Sequence, residues 1–282
     1  MNELTNLSTL KPLLARHGFT FSKSLGQNFI INPGVCPKMA ESNLLPGGGV
    51  LEIGPGVGVL TRELAGRAKQ VLAVELDKRL IPVLKETLAG YENVTVINGD
   101  AMKLDLTMLA KECFGNLPFT VCANLPYYIT SPMLMRILES GLPARRVTVM
   151  VQKEAAGRLT AQPGTRMSGA VTLAVAYRAA AKTLFGVSRG SFYPAPEVDS
   201  AVIQLEILKE PPVTAGSRET LFRVIKAAFG QRRKTLLNSL SSGLGLERAQ
   251  TLKTLDLAGV DPARRAETLT LEEFAKIANV IR

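Results

Sequence analysis

Asn124-Leu125-Pro126-Tyr127 closes the short apolar run Phe119-Thr120-Val121-Cys122-Ala123. The Asn124 side-chain carbonyl and nearby backbone carbonyls, including that of Leu125, can accept hydrogen bonds from an exocyclic amino group. Pro126 has a fixed φ and no N–H to compete for those acceptors. Tyr127 offers a ring face for stacking. Such a set suits a grip on a planar, amine-bearing ring at the mouth of a parallel sheet. It also suits an ordinary turn after a strand, since Asn and Pro are turn residues. The rest of the chain decides between the two.

Three further places carry ligand-type residues. Val50–Ile53 runs into Gly54-Pro55-Gly56-Val57-Gly58, a strand followed by a glycine-rich turn and a helix. Glycines there let the backbone turn sharply and let a ligand come close. A second strand ends at Glu75, seventeen residues after Gly58. An acid at that place can hold ribose hydroxyls. A third ends at Asp100, within Asn98-Gly99-Asp100-Ala101-Met102, where it can approach an adenine amino group. The ligand could be NAD(P) or S-adenosylmethionine. The glycines read G-x-G-x-G, not G-x-G-x-x-G, and no His, Tyr-Lys pair or Cys stands out for hydride chemistry. With the amide-proline-tyrosine set at a fourth strand tip, the pattern favours S-adenosylmethionine.

The elements that must position these residues follow a regular rhythm. Strands are expected over 50–53, 70–76, 94–98, 119–123 and 147–152, alternating with helices near 60–67, 78–88, 107–113 and 131–139. Continuously apolar strands alternating with helices mean a parallel α/β sheet covered on both faces. A helix over 169–179 and strands over 182–187 and 200–208 follow, the latter giving an antiparallel end to the sheet. The residues between, 155–168, read as a loop. Phe192-Tyr193-Pro194-Ala195-Pro196 reads as a stiff, proline-rich loop. Glu210-Pro211-Pro212 is the best linker. Beyond it the pattern predicts amphipathic helices over 218–229, 232–240, 246–255 and 271–281. Before the sheet come an arm with a short helix near 8–17, a basic polar loop over 22–29 and a helix after Asn32-Pro33.

Charge points to the partner. The 282 residues carry a net charge of +10, and aromatic residues make up 5%. Pro211 to the end holds 12 Lys/Arg against 7 Asp/Glu, or +5 in 72 residues. The first 210 residues carry 22 against 17, also +5, so the tail is about three times denser in positive charge. Such a balance suggests a polyanion, either nucleic acid or an acidic membrane surface. Cys36, Cys113 and Cys122 are scattered and odd in number, so neither a disulfide framework nor a zinc site is expected. With a single histidine, His17, a protein-bound metal is not expected either. The chain is read as cytoplasmic and reduced, without a signal peptide or a membrane span.

At this point the residues resemble a known family, the ribosomal RNA adenine N6-dimethyltransferases, and within it the 16S (small-subunit) enzymes. The resemblance rests on six segments in order: Lys23–Phe29, Leu51–Gly56, Ala123–Tyr127, Val151–Glu154, Phe192–Ala201 and Phe229–Thr235. It implies a Rossmann-like class I methyltransferase sheet, mostly parallel with an antiparallel end strand, plus a small C-terminal all-helical domain. The expected division is an arm and cofactor-capping loop at 1–30, a methyltransferase domain at 31–210 and a basic helical RNA-binding domain at 211–282. The resemblance places the cofactor on Asn28, Ile30, Gly54, Glu75, Asp100 and Asn124, with Gly56 in the same turn. It implies dimethylation of two adjacent adenosines in the 3′-terminal hairpin loop of 16S rRNA during small-subunit assembly, by a monomer. Tyr127 and Phe192 would stack on the two faces of the target base. Arg232, Arg233 and Lys234 would contact phosphates, with Lys23, Arg145, Arg146, Lys153, Arg158 and Arg166 extending that surface. Tyr128 departs from the second Asn found in many relatives. The macrolide-resistance 23S enzymes share the N-terminal motifs, and related mitochondrial transcription factors use the same fold for binding alone. Val198–Ala201 and Gln231–Lys234 look more like the 16S enzymes.

Overall fold

The computed structural model describes residues 3–22 and 26–281. In chain order the regular elements are α1 (Leu7–Arg16), β1 (Phe29–Ile30), α2 (Val35–Asn43), β2 (Gly49–Ile53), α3 (Val59–Ala65), β3 (Gln70–Glu75), α4 (Ile81–Thr87), β4 (Val94–Asn98), α5 (Leu106–Phe114), β5 (Phe119–Asn124), α6 (Thr130–Ser140), β6 (Arg146–Gln152) and α7 (Lys153–Leu159). Then follow α8 (Ala170–Arg178), β7 (Ala179–Val187), β8 (Phe192–Tyr193), β9 (Ser200–Ile207), α9 (Arg218–Gly230), α10 (Leu236–Leu244), α11 (Arg248–Leu257) and α12 (Leu271–Val280).

Seven strands form one sheet in the order β4-β3-β2-β5-β6-β9-β7. β4, β3, β2, β5 and β6 run parallel, and β9 is antiparallel to β6. Every position of β2 is buried, and so is nearly all of β3, β5 and β6. Burial of both faces is why these strands read as continuous apolar runs. The chain leaves β2 to one side for β3 and β4, then returns to the other side for β5. The crevice of such a sheet opens at that reversal, beyond the carboxyl ends of β2 and β5.

A second sheet of two strands pairs β1 with β8 antiparallel, Phe29 opposite Tyr193 and Ile30 opposite Phe192. The stretch expected as a free proline-rich loop therefore begins as a strand. Two residues on each side give no periodicity to read. In α7, too, a helix replaces the first part of the expected 155–168 loop. α10 starts at Leu236 and not at Arg232. Lys234 N–H donates to the Gln231 carbonyl at 2.9 Å, so the basic run forms a turn. Carbonyls of Arg264 and Pro262 then take the first-turn N–H groups of Leu236 and Leu237 at 2.7 and 3.2 Å, groups a helix cannot satisfy itself.

The chain divides into two compact units. One comprises Met1–Arg136, Ser140–Ala156 and Lys182–Ile207; the other comprises Ile137–Glu139, Gly157–Ala181 and Leu208–Arg282. The second unit resumes at Leu208, close to the expected boundary at 210, but it also takes in 157–181. The reason is α8, whose Val171, Leu173, Ala174, Val175 and Tyr177 are all buried. A helix apolar around most of its circumference must be covered on several sides. Tyr177 meets Phe222 of α9 edge-on at 5.6 Å. Within the same unit Phe229 and Phe274 stack at 6.0 Å. Among the described residues no helix is long and apolar enough to cross a membrane.

Candidate active site

Parallel register brings the strand ends level. Ile53 lies opposite Val74 on one side and Ala123 on the other, and Glu75 lies opposite Asn98. The residues that follow, Gly54, Asp100 and Asn124, therefore share one edge of the sheet with Glu75. A cleft enclosing about 1100 Å³, solvent at its mouth included, opens there within the first unit. Asn28, Ile30, Gly54, Gly56, Glu75, Asp100 and Asn124 all line it. So do Leu125, Pro126, Tyr127 and Phe192. The structure brings together every cofactor and catalytic residue expected from the sequence.

Glu75 is 6% exposed. Its Oε1 accepts from the Asp77 N–H at 2.8 Å and its Oε2 from the Gly56 N–H at 3.1 Å. Burial pushes its carboxyl above the usual range, and those two N–H groups pull it back. Each oxygen keeps a further lone pair to accept from a ligand hydroxyl. Asn98 Nδ2 donates to the Glu75 carbonyl at 2.8 Å, tying the ends of β3 and β4 together. Asp100 Oδ1 accepts from the Met102 N–H at 2.9 Å, which fixes the turn and leaves Oδ2 3.9 Å from Lys103 Nζ.

Gly56 has φ +61°, and a Cβ there would lie 3.3 Å from the Phe29 ring. Replacing it with Ala costs roughly 1–2 kcal/mol of backbone strain and presses on Phe29. Gly56→Ala is expected to remain folded and to bind S-adenosylmethionine about tenfold more weakly, measured by calorimetry. Affinity equal to wild type would show that the turn does not need glycine here.

Asn124 Nδ2 lies 3.5 Å from the Asn28 carbonyl, at the limit of a hydrogen bond. Tyr127 is half-buried, and its hydroxyl shares a 2.8 Å hydrogen bond with Ser200 Oγ. Burial raises its pKa, the Ser200 bond lowers it, and the Asp199 charge raises it. Asp199 in turn accepts the Arg189 N–H on Oδ1 at 3.0 Å and the Lys153 N–H on its carbonyl at 3.0 Å. The Val198–Ala201 segment thus orients Tyr127, a job its sequence did not disclose. Phe192 is only 4% exposed. It forms a wall of the cleft from inside the core, so its ring is not the open platform expected. Tyr128, by contrast, lines the cleft at 55% exposure.

The expected RNA-contacting residues scatter. Lys23 lies outside the described residues. Arg145 and Arg146 sit where β6 begins, the opposite end of the sheet from the cleft. Arg146 donates to Glu206 Oε1 at 2.6 Å and to the Ser42 and Leu44 carbonyls at 3.1 Å each. Its guanidinium is thus committed to the fold, a partnership sixty residues away that local sequence does not show. Lys153 is exposed at the cleft end of β6. Arg158, Arg166, Arg232, Arg233 and Lys234 are exposed in the second unit. Arg232 Nη2 donates to the Arg166 carbonyl at 3.0 Å, bracing the 160–169 loop. Gln27 and Ser200 lie within motif segments but were given no role of their own, because their partners are 50 and 73 residues away; Asp77 and Arg79 were not singled out.

Comparison with known proteins agrees with this geometry. The chain is 47% identical over 276 residues to the ribosomal RNA small subunit methyltransferase A of Geobacillus thermodenitrificans, covering 96% of this chain and 94% of that one. It is 46% identical to the protein of the same name from Alkaliphilus oremlandii, covering 99% and 98%. Among solved structures, a dimethyladenosine transferase from Plasmodium falciparum matches with a TM-score of 0.69 at 26% identity, covering 88% of this chain and 95% of that one. The 23S rRNA methyltransferase ErmE matches with a TM-score of 0.62 at 28% identity, covering 90% and 99%. With residues 18–282 matched by the model of the ribosomal RNA adenine dimethylases, the chain belongs to that family.

Proposed function

We propose that the protein transfers methyl groups from S-adenosylmethionine to N6 of two adjacent adenosines in the 3′-terminal hairpin loop of 16S rRNA, as a monomer acting in small-subunit assembly in the cytoplasm. One observation carries the reading: the Asn124–Tyr127 acceptor set and the Glu75 carboxylate line a single cleft beside a left-handed glycine turn. The residues present fit the cofactor. Glu75 is a buried carboxylate with acceptor capacity to spare, suited to a ribose diol. Asp100 can accept from the adenine amine. Gly54 and Gly56, at φ +73° and +61°, put no side chain of their own between that turn and a ligand.

Bound S-adenosylmethionine supplies an electrophilic methyl group on its sulfonium. The chain's residues then have a positioning task. Adenine N6 is uncharged but poorly nucleophilic, because its lone pair is delocalised into the ring. Asn124 Oδ1 and the Leu125 carbonyl accept from the two N–H bonds and draw the nitrogen towards tetrahedral geometry, which frees the lone pair. No general base is needed at the start, and the proton leaves once nitrogen is cationic. Alignment of this kind can contribute roughly 7–11 kcal/mol in favourable cases. The target base leaves its stack to reach the cleft. Tyr127, held by Ser200, supplies a ring face, and Phe192 the wall behind it. Two transfers complete the product.

The relatives at 46–47% identity are named for the small subunit, which favours 16S over 23S RNA. Incubation with labelled S-adenosylmethionine and either undermodified small subunits or naked 23S RNA, followed by mapping of the labelled bases, tests the reading. Dimethyladenosine in 16S RNA is expected. Label confined to 23S RNA would reassign the substrate, and no label in adenine would leave a binding protein only.

A further inference from the structure

Asp77 sits two residues beyond Glu75 and is 6% exposed. Its backbone N–H donates to Glu75 Oε1 at 2.8 Å. Its carboxylate faces the other way, towards the N-terminal arm. Gln27 Nε2 donates to Asp77 Oδ2 at 2.8 Å. Gln27 Oε1 accepts the Ser22 N–H at 3.1 Å, so one side chain joins Ser22 of the arm to Asp77. Arg79 grips the same carboxylate with two bonds, Nε to Oδ1 at 2.8 Å and Nη2 to Oδ2 at 2.6 Å. Arg79 Nη1 reaches the Thr20 carbonyl at 3.2 Å, and its guanidinium lies 5.2 Å from the Phe19 ring centre. The bonds from Arg79 hold the Asp77 carboxyl below the usual carboxylate range.

A carboxylate this well shielded costs free energy to bury unless every partner is in place. Here all of its side-chain partners come from the arm or from Arg79, which itself touches the arm. Immediately after Gln27, the arm supplies Asn28 and Ile30 to the cleft. Ile30 is locked across the two-stranded sheet to Phe192. Asp77 is thus a junction: its backbone sets the ribose-side carboxylate, and its side chain sets the arm that covers the same cleft.

We propose that Asp77 is a positioning residue for the cofactor, latching the arm through Gln27 and Arg79 and coupling its placement to Glu75. The inference rests on the reading that this cleft takes S-adenosylmethionine. It assigns a role to Asp77 and Arg79, neither of which lines the cleft. Breaking the latch frees the arm and lets Glu75 lose its set orientation, so affinity falls while the chemistry, once the ligand is bound, changes little.

Calorimetric titration of the full chain with S-adenosylhomocysteine tests this. Asp77→Asn is expected to weaken binding about tenfold or more, since each lost bond to a charged group is substantial. Saturating cofactor should restore kcat to within about threefold, with KM for RNA unmoved. Arg79→Gln breaks the other side of the junction, at a residue that does not line the cleft, and decides the matter should Asp77→Asn fail to fold. The two substitutions should be non-additive, because they break the same bond. Hydrogen exchange at 26–30 should rise in the free Asp77→Asn protein, whereas a purely structural role would lower Tm and leave affinity well below Tm unchanged. Wild-type affinity in both variants overturns the inference. Failure of the wild-type protein itself to bind overturns the cofactor reading and this one with it.

Discussion

Asn124→Ala lowers single-turnover methyl transfer by about 10²–10³-fold, with RNA affinity within about twofold of wild type. The size follows from where the amide sits. Asn124 is the last residue of β5, in register with Met150 on one neighbour and one step past the Ala123–Ile53 pair on the other. Its backbone is held by the sheet, so its side chain starts from a fixed point. Its Nδ2 leans on the Asn28 carbonyl at 3.5 Å, and its Oδ1 makes no hydrogen bond with any described residue. An acceptor preorganised in this way has nothing to rearrange when the amine arrives, and removing it leaves the lone pair in the ring. Alanine also leaves the strand and Tyr127 undisturbed, because Tyr127 is anchored separately by Ser200. Single-turnover rates at saturating cofactor and RNA, set beside filter-binding affinity, check the prediction. A wild-type rate in the variant would move the amine grip to another group.

The readable parts of this site share a physical cause. Gly54, Glu75, Asp100 and Asn124 each end an apolar run, and a parallel sheet aligns such ends without help from distant sequence. A reader who finds the runs finds the site's edge. What stayed hidden depends on partners far along the chain. Ile30 meets Phe192, and Phe29 meets Tyr193, across about 160 residues in two-residue strands. Arg146 looked like a free cation because Glu206 and the carbonyls of Ser42 and Leu44 are distant in sequence. Phe192 reads as a platform because its proline-rich stretch is stiff, yet its ring is part of the core. Asp77 carries no signal in its own stretch of sequence, since its partner Gln27 precedes the whole sheet. Helix α8 falls in the sheet domain when the boundary is set at the Glu210-Pro211-Pro212 linker, and only its nearly all-round burial reveals the company it keeps.

Glu52 makes stability depend on pH across the neutral range. It lies in the middle of the run Val50–Ile53, at 1% exposure. Among the described residues neither of its oxygens has a hydrogen-bond partner, and the buried Thr61 hydroxyl has none either. Burial pushes its carboxyl up to about 8; Thr61 lowers it through proximity, although the geometry falls short of a hydrogen bond, and the Glu75 charge raises it. The folded protein therefore keeps a proton that the unfolded chain releases near its ordinary value of 4.5. Where the folded state binds more protons, stability falls as pH rises. The loss begins near pH 4.5, continues to about 8 and then levels off. Across that window it amounts to roughly 4–5 kcal/mol at most. Glu52→Gln copies the neutral acid and cannot ionise. Its stability in urea should match wild type near pH 5 and exceed it by several kcal/mol near pH 8.5. Some slope should survive in the variant, because Glu75 is shifted upward by burial as well. Parallel stability curves for the two proteins across pH 5–9 would mean that Glu52 carries its charge in the folded state, and that a polar partner reaches it from the cleft.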